Sequence, residues 1–140
     1  MSIVNFNTRH LLACKDIDIK SYLWPWLDEG WGKIQGYIIR VFIKEDRVIG
    51  FCSFRPEENS IRISKLCVHP DYREQGVGSK LYNDLIRMAK KYNKKKIVMM
   101  LHQDNEYRNF IIRRGWRAVS VSGELFPDST DGYLFVKEIS

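Results

Sequence analysis

The most informative stretch of this sequence reads Leu66-Cys67-Val68-His69-Pro70-Asp71-Tyr72-Arg73-Glu74-Gln75-Gly76-Val77-Gly78-Ser79-Lys80-Leu81. It predicts a strand that ends before Pro70, a short loop, and two glycines where a helix begins. Glycine lets the backbone turn so that its N–H groups converge, and a helix N-terminus adds positive potential. The stretch therefore predicts an anion cradle that suits a pyrophosphate.

Two common phosphate-binding loops do not match this stretch. The P-loop requires Gly-x-x-x-x-Gly-Lys-Ser/Thr, which Gly76-Val77-Gly78-Ser79-Lys80 does not supply. The dinucleotide-binding fingerprint requires a third glycine where this chain has Leu81, and it requires a parallel βαβ unit near the chain start. Both classes of nucleotide-binding site are therefore excluded.

The flanking sequence predicts a mixed sheet. Leu81, Leu85, Met88 and Tyr92 recur at helical spacing, which predicts a helix from Gly78 to Tyr92. The full predicted order is strand Ile3–Phe6, a broken helical region Asp16–Glu29, a hairpin of strands Gly36–Ile43 and Arg47–Phe54, strand Ile61–Val68, helix Gly78–Tyr92, strand Ile97–Leu101, helix Asn105–Arg114, and strands Trp116–Val121 and Tyr133–Ile139. Antiparallel hairpins followed by a β-α-β crossover indicate the α+β or α/β class.

The composition predicts one ordinary domain over residues 1–140, since 44% of the chain is apolar and 29% is charged. No apolar run approaches the ~20 residues of a membrane helix, and no secretory signal is visible, so we expect a cytoplasmic protein without a membrane partner. Cys14, Cys52 and Cys67 form no CxxC pair and are expected to be reduced and buried. The three histidines, His10, His69 and His102, lie far from one another in the sequence, and no pair of cysteines lies near any of them. We therefore expect no metal site.

The net charge of +6 favours an anionic partner, and five of the lysines lie between Lys90 and Lys96. We interpret these lysines as a solvated helix end, where cations complement the carbonyl dipole. Because no aromatic residues alternate with the cluster as they would in a single-strand binder, we do not expect nucleic acid as a partner.

The quoted stretch resembles motif A of the GCN5-related N-acetyltransferase (GNAT) superfamily, Arg/Gln-x-x-Gly-x-Gly/Ala, which reads here Arg73-Glu74-Gln75-Gly76-Val77-Gly78. Residues 66–72 resemble the exit from the family's fourth strand. Asn105 with Arg113-Arg114-Gly115-Trp116 resembles motif B. The resemblance implies a GNAT-like fold, with three α/β/α layers around a splayed mixed sheet.

The resemblance also implies acetyl-CoA as co-substrate. Its pyrophosphate would bind the loop formed by Arg73, Glu74, Gln75, Gly76, Val77, Gly78, Ser79 and Lys80. The backbone of Leu66, Cys67 and Val68 would pair with pantetheine, and one N–H there would stabilise the thioester oxyanion. Asn105 would also contact the cofactor.

The chain departs from the family at two catalytic positions. Ile111 stands where many members carry a tyrosine acid, and Tyr107 is the candidate substitute. Arg62 stands where some members carry a glutamate base. The base candidates are His102, Glu57, Glu58 or a water chain. An acylated Cys67 nucleophile is a less favoured interpretation, because the family usually transfers the acetyl group directly to the acceptor. His69, which precedes Pro70, is expected only to shape the turn.

The resemblance places the acceptor side at residues 14–35 and 123–132. Trp24, Trp26 and Trp31, together with acidic Asp28, Glu29, Asp128 and Asp131, would form a pocket for a cationic amine, or the tryptophans pack on the sheet. We expect an N-acetyltransferase that acts by direct transfer on a small-molecule or peptide amine, as a monomer or homodimer. The alternative is a CoA-binding or regulatory module of the same fold that transfers no acetyl group and touches nucleic acid.

Overall fold

The computed structural model describes residues 2–21, 31, 36–102, 107–122 and 132–139. Its strands and helices follow the predicted order. They are β1 (Ser2–Asn5), a 3₁₀ turn (Thr8–His10), α1 (Leu11–Ser21), β2 (Ile38–Lys44), β3 (Arg47–Pro56), β4 (Ser60–Val68), a second 3₁₀ turn (Pro70–Tyr72), α2 (Val77–Lys91), β5 (Lys96–His102), α3 (Tyr107–Ile112), β6 (Arg117–Ser122) and β7 (Gly132–Glu138).

The seven strands follow the order β1-β2-β3-β4-β5-β7-β6. β4 and β5 are parallel, with a register from Ser60 opposite Lys96 to Ile63 opposite Met99. β1–β2, β2–β3, β5–β7 and β6–β7 are antiparallel. Because α2 connects the parallel pair, the predicted β-α-β crossover and the mixed sheet are confirmed.

The chain forms two compact units. The first unit comprises Met1–Arg55 and Ser64–Met88, and the second comprises Pro56–Ile63 and Ala89–Ser140. The two halves of β4 therefore belong to different units. The motif A loop lies entirely in the first unit.

The core of the first unit joins α1 to the central strands. Cys14 and Ile17 of α1 pack in one buried cluster with Val41, Phe51 and Cys67. The ring of Trp31 belongs to this cluster and lies 5.7 Å from that of Phe51. For Trp31, the packing interpretation is therefore confirmed, whereas Trp24, Trp26, Asp28 and Glu29 lie outside the described residues.

The turn between β2 and β3 has both central residues in the left-handed region, Glu45 at φ 51° and Asp46 at φ 62°. Lys44 and Arg47 flank them as a register pair. Positive φ at both central residues defines a type I′ turn, whose twist matches that of the strands. The hairpin was predicted, but its turn type was not, since neither residue is glycine or asparagine.

Both helix ends in the second unit are closed by left-handed residues. At the end of α2, Asn93 has φ 59°, and the Lys94 N–H donates to the Ala89 carbonyl at 2.9 Å. After α3, Gly115 has φ +87°, and the Trp116 N–H donates to the Ile111 carbonyl at 3.2 Å. Both are Schellman closures, so the predicted stop at Gly115 is confirmed.

The lysine cluster is exposed at Lys90, Lys91, Lys95 and Lys96, as expected of a solvated helix end. Lys94 differs, because its Nζ donates to the carbonyls of Glu57 and Glu58 at 2.6 and 3.2 Å. This lysine therefore ties the α2 end to the turn before β4 rather than adding to a solvated surface.

Candidate functional site

The end of β4 is anchored in the core of the first unit. Leu66, Cys67 and Val68 are buried, so their side chains are core residues, as predicted. The His69 N–H donates to the Ile49 carbonyl of β3 at 2.8 Å. These contacts fix the point at which the chain leaves the sheet and enters the loop.

Gly50 permits this close approach, and sequence reasoning missed it. A Cβ at Gly50 would lie 2.9 Å from the Cys67 carbonyl oxygen and 3.0 Å from Cδ1 of Leu81. Only a residue without a side chain lets β3 lie this close to both β4 and α2. A glycine inside a strand otherwise rich in apolar residues was the available signal.

His69 shapes the turn after β4, as expected. Its Nδ1 accepts from the Asp71 N–H at 3.1 Å and caps the 3₁₀ turn. Its ring packs edge-on against that of Tyr72, with 5.7 Å between centroids. The turn directs the chain into Arg73.

The loop from Arg73 to Gly76 closes back on the strand end. The Arg73 Nε donates to the Val68 carbonyl at 3.4 Å, and the Gln75 Nε2 donates to the Asp71 carbonyl at 3.3 Å. Glu74 and Gly76 have φ of 62° and 82°. Alternating left-handed residues turn successive N–H groups toward one side, the arrangement of an anion-binding nest.

Helix α2 begins directly after this loop. The Lys80 N–H donates to the Gly76 carbonyl at 3.1 Å. The amides of Val77 and Gly78 precede this bond, so by helix geometry they have no carbonyl within the helix to donate to. The first turn carries no acidic residue, and its positive dipole end is therefore not offset there.

The loop has room for a phosphate group. A Cβ at Gly76 would meet no atom within 4 Å, and a Cβ at Gly78 would meet only Cγ2 of Val68, at 3.7 Å. Arg73 adds positive charge at the start of the loop, whereas the Lys80 Nζ lies 6.0 Å from the ring centroid of Phe42. The space, the amides at the start of α2 and the Arg73 cation fit a pyrophosphate.

The structure describes few of the side chains of the candidate catalytic residues. His102 ends β5 opposite Gly132 of β7, and Tyr107 begins α3, but the structure describes neither side chain. Asn105 lies outside the described residues, as do Asp128 and Asp131 of the acceptor side. Their predicted roles stay predictions.

The two positions that depart from the family have structural roles in the second unit. Ile111 is fully buried. The Arg62 Nε lies 3.0 Å from Oε1 of Glu57, in an ion pair. Glu57, a candidate base, is therefore bound to the residue that replaces the family's glutamate, whereas Glu58 is exposed.

The three cysteines are free and buried, as predicted. Burial raises the pKa of Cys14 to about 12 and that of Cys67 well above its ordinary value. A thiol that stays protonated at neutral pH is a poor nucleophile. This result argues against an acyl-cysteine intermediate at Cys67.

Within residues 2–21, 31, 36–102, 107–122 and 132–139, no cluster of three metal-ligating side chains occurs. No helix in that part of the chain is long and apolar enough to cross a membrane.

A model of the acetyltransferase (GNAT) family matches residues 8–115. A comparison with curated proteins found no match.

Several solved structures share the fold. The ribosomal-protein-S18-alanine N-acetyltransferase from Escherichia coli is 19% identical, with 99% of this chain and 94% of that chain covered and a TM-score of 0.89. A GNAT family acetyltransferase from Elizabethkingia anophelis with acetyl-CoA bound is 17% identical, with coverages of 99% and 97% and a TM-score of 0.84. Arabidopsis thaliana Naa50, in complex with the bisubstrate analogue CoA-Ac-MVNAL, is 19% identical, with coverages of 99% and 98% and a TM-score of 0.82. At these identities, the likeness shows the fold alone.

Proposed function

Because this chain belongs to the acetyltransferase (GNAT) family, we propose that it transfers an acetyl group from acetyl-CoA to a primary amine by direct attack of the amine on the thioester. The observation that carries the proposal is the loop at Gly76. Its left-handed turn, its open space and the amides of the first turn of α2 would together form a cradle for a pyrophosphate. The similar structure from Elizabethkingia anophelis contains acetyl-CoA.

The first unit would bind the co-substrate through backbone groups. The amides of residues 75–80 would hold the pyrophosphate, and Arg73 would complement its charge. The backbone of Leu66 to Val68 would pair with pantetheine as an added strand does. One N–H of that segment would donate to the thioester oxygen and stabilise the negative charge that forms during attack.

The acetyl transfer needs a proton acceptor and a proton donor. The attacking amine must lose a proton, for which His102 is the proposed base, with Glu58 or a water chain as alternatives. A C–N bond forms and the C–S bond breaks. The leaving thiolate then takes a proton, for which Tyr107 is the proposed donor because Ile111 has none to give.

The acceptor is proposed to be a cationic amine, drawn by Asp28, Glu29, Asp128 and Asp131. One similar structure is an alanine N-acetyltransferase, and another, Naa50, is in complex with the bisubstrate analogue CoA-Ac-MVNAL. Both support an amine acceptor for this chain. Peptide N-termini, protein lysines, polyamines, amino acids and aminoglycosides all belong to this class. The double variant Asp28→Asn/Glu29→Gln should raise the KM of the amine and leave that of acetyl-CoA nearly unchanged.

The decisive experiment measures CoA binding and acetyl transfer in two matched glycine variants. Gly76→Val should abolish calorimetric CoA binding, because a branched side chain is strained at φ +82° and projects into the phosphate path. Gly36→Val is the control, since a Cβ at Gly36 meets nothing within 4 Å and its φ lies outside the left-handed region. If folded Gly76→Val binds CoA as tightly as the unmodified protein, the loop assignment is wrong.

The second candidate is a CoA-binding module without transferase activity. The burial of Ile111 and the Arg62–Glu57 pair favour it, because two usual catalytic groups are replaced. Release of free CoA thiol from acetyl-CoA with any amine of a panel would exclude this candidate. CoA binding without release by any amine would support it.

A further inference from the structure

The second unit contains a groove at the end of α2, which we name the lysine groove. It has a volume of about 760 Å³, within the range of small-molecule sites in proteins. Its lining combines the end of α2 and the start of β5 with the end of β7, and it consists of Lys90, Asn93, Lys94, Lys95, Lys96, Glu138 and Ile139. All of these residues belong to the second unit, and none belongs to the loop proposed for acetyl-CoA.

Three of the lining lysines carry charges that the protein itself does not pair. Lys90, Lys95 and Lys96 are exposed, and within the part of the chain that the structure describes their ammonium groups make no hydrogen bond or ion pair. Lys94 is the exception, because its Nζ donates to two backbone carbonyls. Like charges that line one groove repel one another, and a bound anion relieves this repulsion.

The end of α2 does not account for these charges. The Asn93 N–H donates to the Lys90 carbonyl at 3.0 Å, and the Lys94 N–H donates to the Ala89 carbonyl at 2.9 Å. Backbone donors therefore satisfy two of the last carbonyls of the helix, with no need of an ammonium group. The dipole at a helix end is equivalent to about half an elementary charge, which is less than one of the three ammonium groups carries.

A carboxylate, that of Glu138, shares the lining. Glu138 lies opposite Lys96 in the register of β5 and β7, but its Oε1 pairs with Nη2 of Arg117 at 3.3 Å. The sequence contains no acidic residue between Asp84 and Asp104. Among the described lining residues, four lysines thus outnumber a glutamate whose charge Arg117 already offsets.

Backbone contacts hold the walls of the groove in place. The Lys95 N–H donates to the Asn59 carbonyl at 3.2 Å, and the Ile139 N–H donates to the Lys95 carbonyl at 2.8 Å. The Lys94 Nζ adds its bonds to the carbonyls of Glu57 and Glu58. Because these segments are already fixed, a ligand would order only the lysine side chains, which lowers the cost of binding.

The kind of cation indicates the kind of anion. All cationic residues of the described lining are lysines. An ammonium group is a compact point charge that commonly binds phosphate, whereas the planar fork of arginine matches a carboxylate with two parallel bonds. Several ammonium groups along one groove therefore favour an anion with phosphate groups in series over a single carboxylate.

We propose that the lysine groove binds an oligophosphate, whose successive phosphate groups contact Lys90, Lys95 and Lys96. This site is separate from the loop proposed for acetyl-CoA and does not depend on acetyl transfer. The phosphate groups belong to a free oligophosphate or to the backbone of a nucleic acid duplex. A duplex is bound through its backbone without stacking aromatic residues, so the lack of aromatic residues alternating with the lysines does not exclude it.

The test is a residue-resolved NMR titration of the full chain with inorganic tripolyphosphate, with a short RNA duplex and with poly-L-glutamate, each in a separate experiment. We expect saturable shifts of the amides of Asn93, Lys95, Lys96 and Ile139 with the first two probes. Tighter binding of tripolyphosphate would identify a free oligophosphate as the ligand, and tighter binding of the duplex would identify a nucleic acid backbone.

Two variants change the charge of the groove in opposite directions. Lys95→Gln/Lys96→Gln should weaken binding about tenfold, because two exposed ion pairs are lost. With the duplex, it should also reduce the slope of log K against log salt concentration by about 2, one for each phosphate contact. Glu138→Gln should tighten binding, because it removes a carboxylate from the lining.

Arg9→Gln/Arg55→Gln is the charge-matched control, since it removes two positive charges from exposed residues of the first unit. It should leave the affinity nearly unchanged. Equal losses in the two double variants would mean that only the net charge matters and would overturn the proposal. Shifts that do not saturate, shifts confined to residues 73–80, or binding of poly-L-glutamate as tight as that of the phosphate probes would overturn it as well.

Discussion

Lys65 of β4 and Asp18 of α1 form an ion pair inside the first unit, with 2.8 Å between Nζ and Oδ1 and side chains that are 2% and 0% exposed. Burial of two charges is costly, and their attraction offsets the cost only while both are present. The pair therefore holds α1 in a defined position on β4, next to the segment proposed to bind pantetheine.

The first prediction concerns this pair. Lys65→Met alone should lower the free energy of unfolding by about 3–5 kcal/mol, because it removes the cation that faces the buried Asp18 carboxylate. The double variant Lys65→Met/Asp18→Leu should recover most of that loss. Urea unfolding measures both, and a double variant less stable than the single one would contradict the prediction.

The second prediction concerns Gly50. Gly50→Ala should destabilise the protein by about 1–3 kcal/mol, because its Cβ would overlap the Cys67 carbonyl oxygen, a backbone atom that cannot move freely. Gly36→Ala is the control and should change stability by less than about 1 kcal/mol. Thermal unfolding of the two variants measures both effects. Equal stabilities of Gly50→Ala and Gly36→Ala would contradict the prediction and show that β3 has room to shift.

The third prediction concerns the type I′ turn. Glu45→Asn/Asp46→Gly should raise the free energy of unfolding by about 1 kcal/mol, since these residues adopt positive φ at lower cost. Glu58→Gly, in a turn without a positive φ, should instead lower it slightly. A double variant that is less stable than the parent would mean that Glu45 or Asp46 makes a compensating contact.

The fourth prediction concerns Asp84. Burial alone would raise its pKa, but hydrogen bonds from Arg40 and Arg87 outweigh burial and hold the pKa below its ordinary value. The Asp84 carboxylate therefore stabilises the fold above the unfolded-state pKa of about 3.9, and this contribution is lost as the pH falls through the lower, folded-state pKa. The stability difference between the unmodified protein and Asp84→Asn should shrink on acidification from neutral pH. A difference independent of pH would refute the linkage.

The fifth prediction concerns Tyr107, the proposed proton donor. Tyr107→Phe should lower kcat more than it raises the KM of acetyl-CoA, because a group that acts only in the transition state is lost. Tyr92→Phe, a control at an exposed tyrosine, should leave both constants unchanged. An unchanged kcat in Tyr107→Phe, measured with the best acceptor, would remove Tyr107 from the mechanism.

The sequence predicted those parts of the fold in which local pattern and tertiary packing agree. The apolar stripe of α2 and the glycines at 76 and 78 placed the loop and the helix correctly. The family assignment from Arg73, Gly76 and Gly78 is confirmed by the family model. These features rest on residues close together in the chain.

Helix α1 shows why other parts could not be predicted. It begins at Leu11 rather than near Asp16, and it buries Cys14 and Ile17 while leaving Leu12 and Ile19 exposed. Apolar side chains on both faces remove the periodicity that predicts a helix. The ion-pair partner of Lys65 could not be predicted either, because Asp18 lies far from Lys65 in the sequence.

The burial of the cysteines has a practical consequence for experiments on this protein. Cys14 and Cys67 belong to the cluster between α1 and the strands, and Cys52 is buried in β3. A thiol reagent can reach them only when the first unit opens, so the rate of their modification measures local unfolding. A colorimetric assay of CoA release should accordingly have little background from the protein's own thiols. The labelling rate of the three cysteines would report how often the core around the proposed pantetheine segment unfolds locally. Slower labelling in the presence of acetyl-CoA would show that binding of acetyl-CoA suppresses this unfolding.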